Sequence, residues 1–209
     1  MSIVILGKGV IGRAMGSKLE QKGYLVHYID PYVKDAHRYS DVIGFNPEIV
    51  FVTVPTEINL HLDSKIVYSS VYEYCLYHTS RYQVIKPLLV IRSTVSVGTT
   101  DNVYMKHRRN FRNVFFVAER YDPGNGFMKT VPGASVNETG KDVVERVFRD
   151  MDEEIFWMSS TRAAEFTKIY ENSFRAINIA SSLMAFFVSQ KLGIDFNEVL
   201  EGASTKERG

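Results

Sequence analysis

The stretch richest in chemistry is Gly7-Lys8-Gly9-Val10-Ile11-Gly12. It follows a strand-like run, Ser2 to Leu6, and opens a helix-like run, Val10 to Lys22. In that setting each glycine has a task. Gly7 permits the tight turn, Gly9 lets a pyrophosphate approach the backbone, and Gly12 lets the helix sit close to the strand. The helix start at Val10 and Ile11 presents unpaired N–H groups and a partial positive charge to the phosphates. Asp30 ends the next strand-like run, 23 residues after Gly7. An acidic side chain there binds both ribose hydroxyls and repels a 2′-phosphate, which points to NAD over NADP. The bland alternative is a glycine-rich turn with no ligand; strand, loop, helix and acid in the right order favour the dinucleotide.

Other candidates are weaker when taken singly. Val52-Thr53-Val54-Pro55-Thr56 closes a strand, and chain leaving a strand's carboxyl end lines the crevice of an α/β sheet; it is equally an ordinary strand exit. Ser93 to Thr100 follows another strand, and its hydroxyls, Thr94 among them, either bond a ligand or water or cap a helix through Thr99 or Thr100. Glu165, Lys168, Asn172 and Arg175 share one helical stripe. A Lys beside an Asn can hold a substrate oxygen or act as a base, while the alternative is a solvated face with a modest ion pair. Lys106 to Arg109 reads as the basic end of a helix, with no basic stripe extending it toward a nucleic acid. Cys75 sits inside a helical pattern as a packed thiol, and the five histidines lack metal-ligand spacing, so no metal is expected.

The elements that must position these groups alternate. Strand candidates are Ser2 to Leu6, Tyr24 to Ile29, Ile49 to Val54, Leu88 to Ile91, Val114 to Val117, Ala134 to Val136 and Ile155 to Met158, with helical patterns such as Lys65 to Tyr77 and Lys141 to Met151 between them. The strands are unbroken and β-branched, as in a parallel sheet covered on both faces. The expected fold is therefore α/β, a Rossmann-like doubly wound parallel sheet, over residues 1–158. Residues 159–209 form a second region, a long helix for which Ser159, Ser160 and Thr161 offer an N-cap and which Gly193 stops, then a short helix capped by Asp195. The long helix carries apolar residues on more than one side, among them Phe174, Ile177, Leu183 and Phe187, which predicts a homodimer built on it.

Composition narrows the class further. There are 25 Lys plus Arg against 24 Asp plus Glu, a net charge of +1, which excludes binding of polyanions by bulk charge. With one cysteine there is no disulfide framework, which fits a reducing, cytoplasmic setting. The N-terminus lacks a signal-peptide pattern, and Asn178, Ser181 and Ser182 interrupt the most apolar later stretch, so neither a signal peptide nor a membrane span is expected.

In order along the chain, six motifs resemble the UDP-glucose/GDP-mannose dehydrogenase family. They are GKGVIG with Asp30, FVTVPTE at 51–57, IRSTVSVGTTD at 91–101, VAERYDPGN at 117–125, AAEFTKIYEN at 163–172 and KLGIDFNEVLEGAST at 191–205. The VAERYDPGN segment is similar to a Pro-Glu-Arg variant of the N-acetylmannosamine branch. The chain departs from the pattern at Val97, at Ala118, at Leu183-Met184 and in the short stretch between Asp30 and Ile49. Its sequence ends before the segment in which the family carries a nucleophilic cysteine and a UDP-binding domain.

The resemblance implies an NAD-dependent oxidoreductase acting on the CH–OH group of a nucleotide sugar, most simply a UDP-sugar, in a form lacking the covalent step. It implies NAD contacts from Gly7, Gly9, Val10, Ile11, Gly12, Asp30, Val54, Pro55, Thr56 and Thr94. Thr94 and Glu119 would position the active-site water, Lys168 would stabilise an oxyanion, and Asn172 would orient water or substrate. Two alternatives stand beside it. One is a two-electron dehydrogenase of the β-hydroxyacid type. The other is a non-catalytic NAD-binding or interaction subunit, with a separate chain bringing the missing domain.

Overall fold

The computed structural model describes residues 1–42, 44–58, 61–78, 86–122 and 124–206, so Pro123 of the fourth motif lies outside the described residues. In order the elements are β1 (Ser2–Leu6), α1 (Val10–Gln21), β2 (Leu25–Ile29), a 3-10 turn (Tyr39–Val42), β3 (Ile49–Val52), β4 (Glu57–Ile58), β5 (His61–Leu62), α2 (Lys65–His78), β6 (Leu88–Ile91), α3 (Thr99–His107), β7 (Asn113–Val117), β8 (Tyr121–Asp122), β9 (Gly126–Phe127), β10 (Thr130–Ser135), α4 (Lys141–Asp150), β11 (Glu154–Trp157), α5 (Thr161–Leu192) and α6 (Phe196–Ser204). They fall into two compact units that divide between Lys168 and Ile169, inside α5.

The first unit holds a seven-stranded sheet in the order β11-β10-β7-β6-β3-β1-β2. The turn of strand order lies between β1 and β3, as in a doubly wound sheet. Alternate residues of each strand feed opposite faces. Val4, Leu6, Val50 and Val52 pack with Val67, Val71 and Tyr74 of α2 and Val103 of α3. Ile3, Ile5, Ile49 and Phe51 pack with Met15 and Leu19 of α1 and Val144, Val147 and Phe148 of α4. Covering on both sides is the reason these strands read as continuous apolar runs.

The sheet is the doubly wound, mostly parallel one expected, with one departure at its edge: β10 runs antiparallel to β7, and β11 pairs parallel with β10, so two strands there are reversed. The chain between β7 and β10 carries the β8–β9 hairpin and no helix. Without a crossover helix to carry the chain back to the start of the sheet, the next strand enters from the opposite end. The strand expected at Ala134 to Val136 accordingly covers Thr130–Ser135, and β3 ends at Val52, two residues before Val54.

Arg92 and Glu153 link the parallel part of the sheet to that reversed edge. Their side chains are fully buried, with Nη1–Oε1 and Nη2–Oε2 distances of 2.9 and 2.7 Å. The guanidinium lies over the rings of Phe148 and Phe127, 4.8 and 5.3 Å from their centroids. Such a pair gains little over an apolar pair of the same shape, but breaking it strands a buried charge.

In the second unit, Gly193 adopts φ +68° and ends α5, and the Asp195 carboxylate accepts the Asn197 N–H at 2.9 Å to cap α6. Both signals were readable as residue types. Phe174, Ile177, Leu183, Met184, Phe187 and Leu192 of α5 are exposed in this chain.

Glu153→Ala should lower unfolding free energy by about 3 to 5 kcal/mol, because Arg92 is left buried and unpaired. Urea denaturation followed by circular dichroism measures this; a loss below about 1 kcal/mol, the range of an exposed pair, would show that the pair is hydrated.

Candidate functional site

The glycine loop joins β1 to α1 and lies at the carboxyl ends of the parallel strands. Gly7 has φ +100°, and its N–H donates to Ile29 O at 2.9 Å. A Cβ on Gly12 would stand 2.0 Å from the Gly7 carbonyl oxygen, so α1 approaches β1 as closely as a glycine allows. A Cβ on Gly9, in contrast, would meet no atom within 4 Å. The space over Gly9 is open for something other than protein. Gly9 is also the N-cap of α1, no side chain caps that end, and no acidic residue occupies the first turn. The N–H groups of the first turn, starting at Val10 and Ile11, therefore face an open position with a net attraction for anions.

Asp30 closes the loop from the side. Its Oδ2 accepts the Lys8 backbone N–H at 2.8 Å and its Oδ1 accepts the Tyr32 N–H at 3.0 Å. Each oxygen has capacity left for a hydroxyl donor, which two adjacent ribose hydroxyls would use. Lys8 secures the next loop by a 2.8 Å ion pair to Asp35, with its ammonium 4.9 Å from the centre of the Tyr28 ring.

A cavity of about 400 Å³ opens beside these groups. It is lined by Gly7, Asp30, Val54 and Pro55, which the sequence singled out, together with Tyr32, Tyr39, Ile66 and Glu73, which it did not. Thr56 is buried and outside that lining, and Val10 is exposed at the start of α1. A larger cavity of about 710 Å³ lies at the α4–β11 edge, lined by Phe127, Lys129, Glu145 and Arg149 among others, and no expected site residue lines it.

The second cluster sits where β6 and β7 end. Ser93 Oγ donates to Val54 O at 2.7 Å, tying two strand ends together. Thr94 follows, half-buried. Capping of α3 by Thr99 or Thr100 does not occur: its N-cap is Gly98 at φ +92°, and Thr99 Oγ1 turns back to Ser96 O at 2.6 Å. The capping group comes from α5 instead. Glu165 is fully buried and accepts the N–H groups of Gly98 and Thr100 at 2.5 and 2.8 Å and the Thr100 hydroxyl at 2.7 Å. Burial pushes its carboxyl above the usual range, and the hydrogen bonds from Thr100 and Gly98 pull it down. A solvated face is therefore excluded at Glu165.

One turn further along α5, Lys168 Nζ donates to the Glu119 carbonyl and lies 3.8 Å from the Glu119 carboxylate. Glu119 Oε1 in turn accepts the Tyr121 N–H. Glu119 and Lys168 are thus brought together, mostly shielded from solvent. Asn172 is exposed and falls in the second unit. Cys75 is buried in α2, and burial pushes its thiol up to about 12, which keeps it protonated and unreactive near neutrality. Among the described residues no group of three or more His, Cys, Asp or Glu is arranged to hold a metal ion.

Gly16 escaped the sequence reading, and so did the bracing role of Thr53, which was read only as part of the chain leaving a strand. Thr53 Oγ1 donates toward Leu6 O and Gly7 O at 3.1 and 2.9 Å and braces the glycine turn from β3. Gly16 allows the Tyr28 hydroxyl to lie where its Cβ would be. The signal available for Gly16 was its place one turn after Gly12 on the same helix face. The bracing role of Thr53 gave none, because the partner lies 46 residues away.

Residues 162–209 match the model of the UDP-glucose/GDP-mannose dehydrogenase family, central domain. Two curated relatives are UDP-N-acetyl-D-mannosamine dehydrogenases. That of Methanocaldococcus jannaschii is 23% identical over 237 residues, covering 99% of this chain and 56% of the relative. That of Pyrococcus horikoshii is 24% identical, covering 100% and 58%. Among solved structures, the Pyrococcus horikoshii UDP-D-ManNAc dehydrogenase superposes with a TM-score of 0.81 at 22% identity, over 100% of this chain and 59% of that one. A ternary complex of the Pseudomonas aeruginosa GDP-mannose dehydrogenase gives 0.80 at 18%, over 100% and 58%. The chain spans somewhat over half the length of the curated relatives it matches. Motifs, central-domain match and relatives agree in kind: residues 162–209 carry the family's central-domain pattern, and the chain as a whole is similar to dehydrogenases of the UDP-glucose/GDP-mannose dehydrogenase family.

Proposed function

We propose that the chain binds NAD at the glycine loop and acts as an NAD-dependent oxidoreductase on the CH–OH group of a nucleotide sugar, a UDP-sugar first. The observation that carries the cofactor assignment is the contrast between Gly12 and Gly9. At Gly12 the protein itself fills the space a side chain would need; at Gly9 nothing fills it, at the uncapped start of a helix. A dinucleotide pyrophosphate accounts for both. The relatives named for UDP-sugars support the substrate class.

In this reading Gly7, Gly9 and Gly12 shape the cradle, and the Val10 and Ile11 amides receive the pyrophosphate. Asp30 accepts the ribose hydroxyls, Val54 and Pro55 wall the cavity, and Thr56 supports them from behind. NAD, when bound, would supply the hydride acceptor for the alcohol carbon, and the hydroxyl proton would pass to the water that Thr94 and Glu119 position. Lys168 supplies positive charge to the oxygen on that carbon, Glu119 holds the ammonium in place, and Thr94 with Glu119 positions a water. Asn172, four residues beyond Lys168, orients substrate or water. Cys75, packed in α2, takes no covalent part; acid formation through a sulfur needs a nucleophile from outside these residues. No described helix is long and apolar enough to cross a membrane, and we place the protein in the cytoplasm. A homodimer through the exposed apolar residues of α5 completes the reading.

Formation of NADH with UDP-N-acetylmannosamine and UDP-glucose, set against small β-hydroxyacids, tests the substrate class; turnover of the hydroxyacids alone would overturn it. Calorimetric titration should give tighter binding of NAD than of NADP by about tenfold or more, because the 2′-phosphate meets the Asp30 carboxylate. Equal affinities would remove Asp30 from the ribose. Gly9→Val should keep the fold, since its side chain meets open space, and abolish NAD binding. Sedimentation at micromolar concentration should show a dimer, and Leu183→Glu with Phe187→Glu should dissociate it; a wild-type monomer would refute the interface.

A further inference from the structure

We propose that Glu73, with the Tyr39 phenol beside it, reads the edge of the purine at the adenosine end of the cavity and selects a 6-amino over a 6-oxo base. The inference rests on the assignment of that cavity to NAD and adds a specificity determinant to it. The cavity lining is mixed. Asp30 would meet the ribose, Val54, Pro55 and Ile66 form apolar walls for a flat ring, and Tyr39, Ser70 and Glu73 add polar groups.

Ile66, Ser70 and Glu73 are spaced four and three residues apart on α2, so one stripe of that helix passes from apolar to acidic along the cavity. Tyr39 reaches the same place from the 3-10 turn in the short β2–β3 connection. Its phenol is raised above the ordinary range chiefly by burial, and the charges of Asp30 and Glu73 add to the effect. The Ser70 hydroxyl hydrogen-bonds the phenol and opposes that rise, as a donor to its oxygen does. The phenol has one hydrogen to give, and an acceptor on a ligand in the cavity can take it.

Among the described residues Glu73 has no ion-pair partner, and its half-buried carboxylate can only accept hydrogen bonds. A group that only accepts, next to one with a hydrogen to give, matches an amino group beside an unprotonated ring nitrogen. Adenine carries that pair at its 6-amino group and N1. Hypoxanthine reverses it, with an acceptor at position 6 and a hydrogen on N1. A carboxylate facing a carbonyl oxygen leaves two buried acceptors opposed, which is costly.

The test is calorimetric titration of the full chain with NAD and with nicotinamide hypoxanthine dinucleotide. Wild type should prefer NAD by about tenfold, the scale of one hydrogen bond to a charged group. Glu73→Gln keeps the size and adds an N–H donor, so the preference should fall to about threefold or less, mainly through tighter binding of the hypoxanthine form. Tyr39→Phe, which removes one oxygen, should also shrink it. A preference absent in wild type, or unchanged in both variants while NAD still binds, overturns this inference alone. Failure of wild type to bind either dinucleotide overturns the cofactor assignment and the inference together.

Discussion

The approach of α1 to β1 at Gly7 and Gly12 is the constraint on which the rest of the first unit depends. With the Gly12 Cα this close to the Gly7 carbonyl, the helix axis is aimed at the loop and its free amides converge over Gly9. Thr53 holds the turn from β3, and Asp30 holds it from β2 through the Lys8 amide. The chain leaving β3 and the chain leaving β2, on either side of β1, thus contribute one hydrogen-bonding side chain each to fix the Gly7-Lys8-Gly9 loop. An anion held there would need no cationic side chain, and Lys8 is engaged by Asp35.

Glu165 plays the corresponding part for the second cluster. A buried carboxylate with three donors from one turn fixes α5 against the start of α3. That contact sets where Lys168, one turn later, meets Glu119. The reversed β10–β11 edge is held by a different device, the Arg92–Glu153 pair, remote from the glycine loop in sequence but joined to the same sheet at the end of β6. Open backbone amides therefore lie at one end of the sheet, and charged side chains appear where elements distant in sequence must be locked together.

Much of this was legible in the residues. The glycine spacing, Asp30 and the unbroken β-branched runs gave the sheet and the cradle, because each is a local pattern with one steric meaning. Ser160, Gly193 and Asp195 marked helix ends for the same reason. What stayed hidden was long-range. Glu165 looked like a member of a solvated stripe, because the sequence does not show that α3 lies against that face. The reversal of β10 was hidden because the chain before it, from Tyr121 to Phe127, forms a hairpin too short to register as two strands. Tyr39 and Glu73 gave no signal, since their meeting depends on a short connection and a helix brought together only by folding.

The central claim is that the amides over Gly9 receive a dinucleotide phosphate. Titration of the isotopically labelled chain with NAD, followed by backbone amide NMR, tests it at those atoms. The account predicts that the amides of Gly9, Val10, Ile11 and Tyr32 shift on binding while those of Phe156 and Trp157 on β11 stay in place. Shifts confined to the α4–β11 cavity, with the glycine-loop amides unmoved, would contradict it.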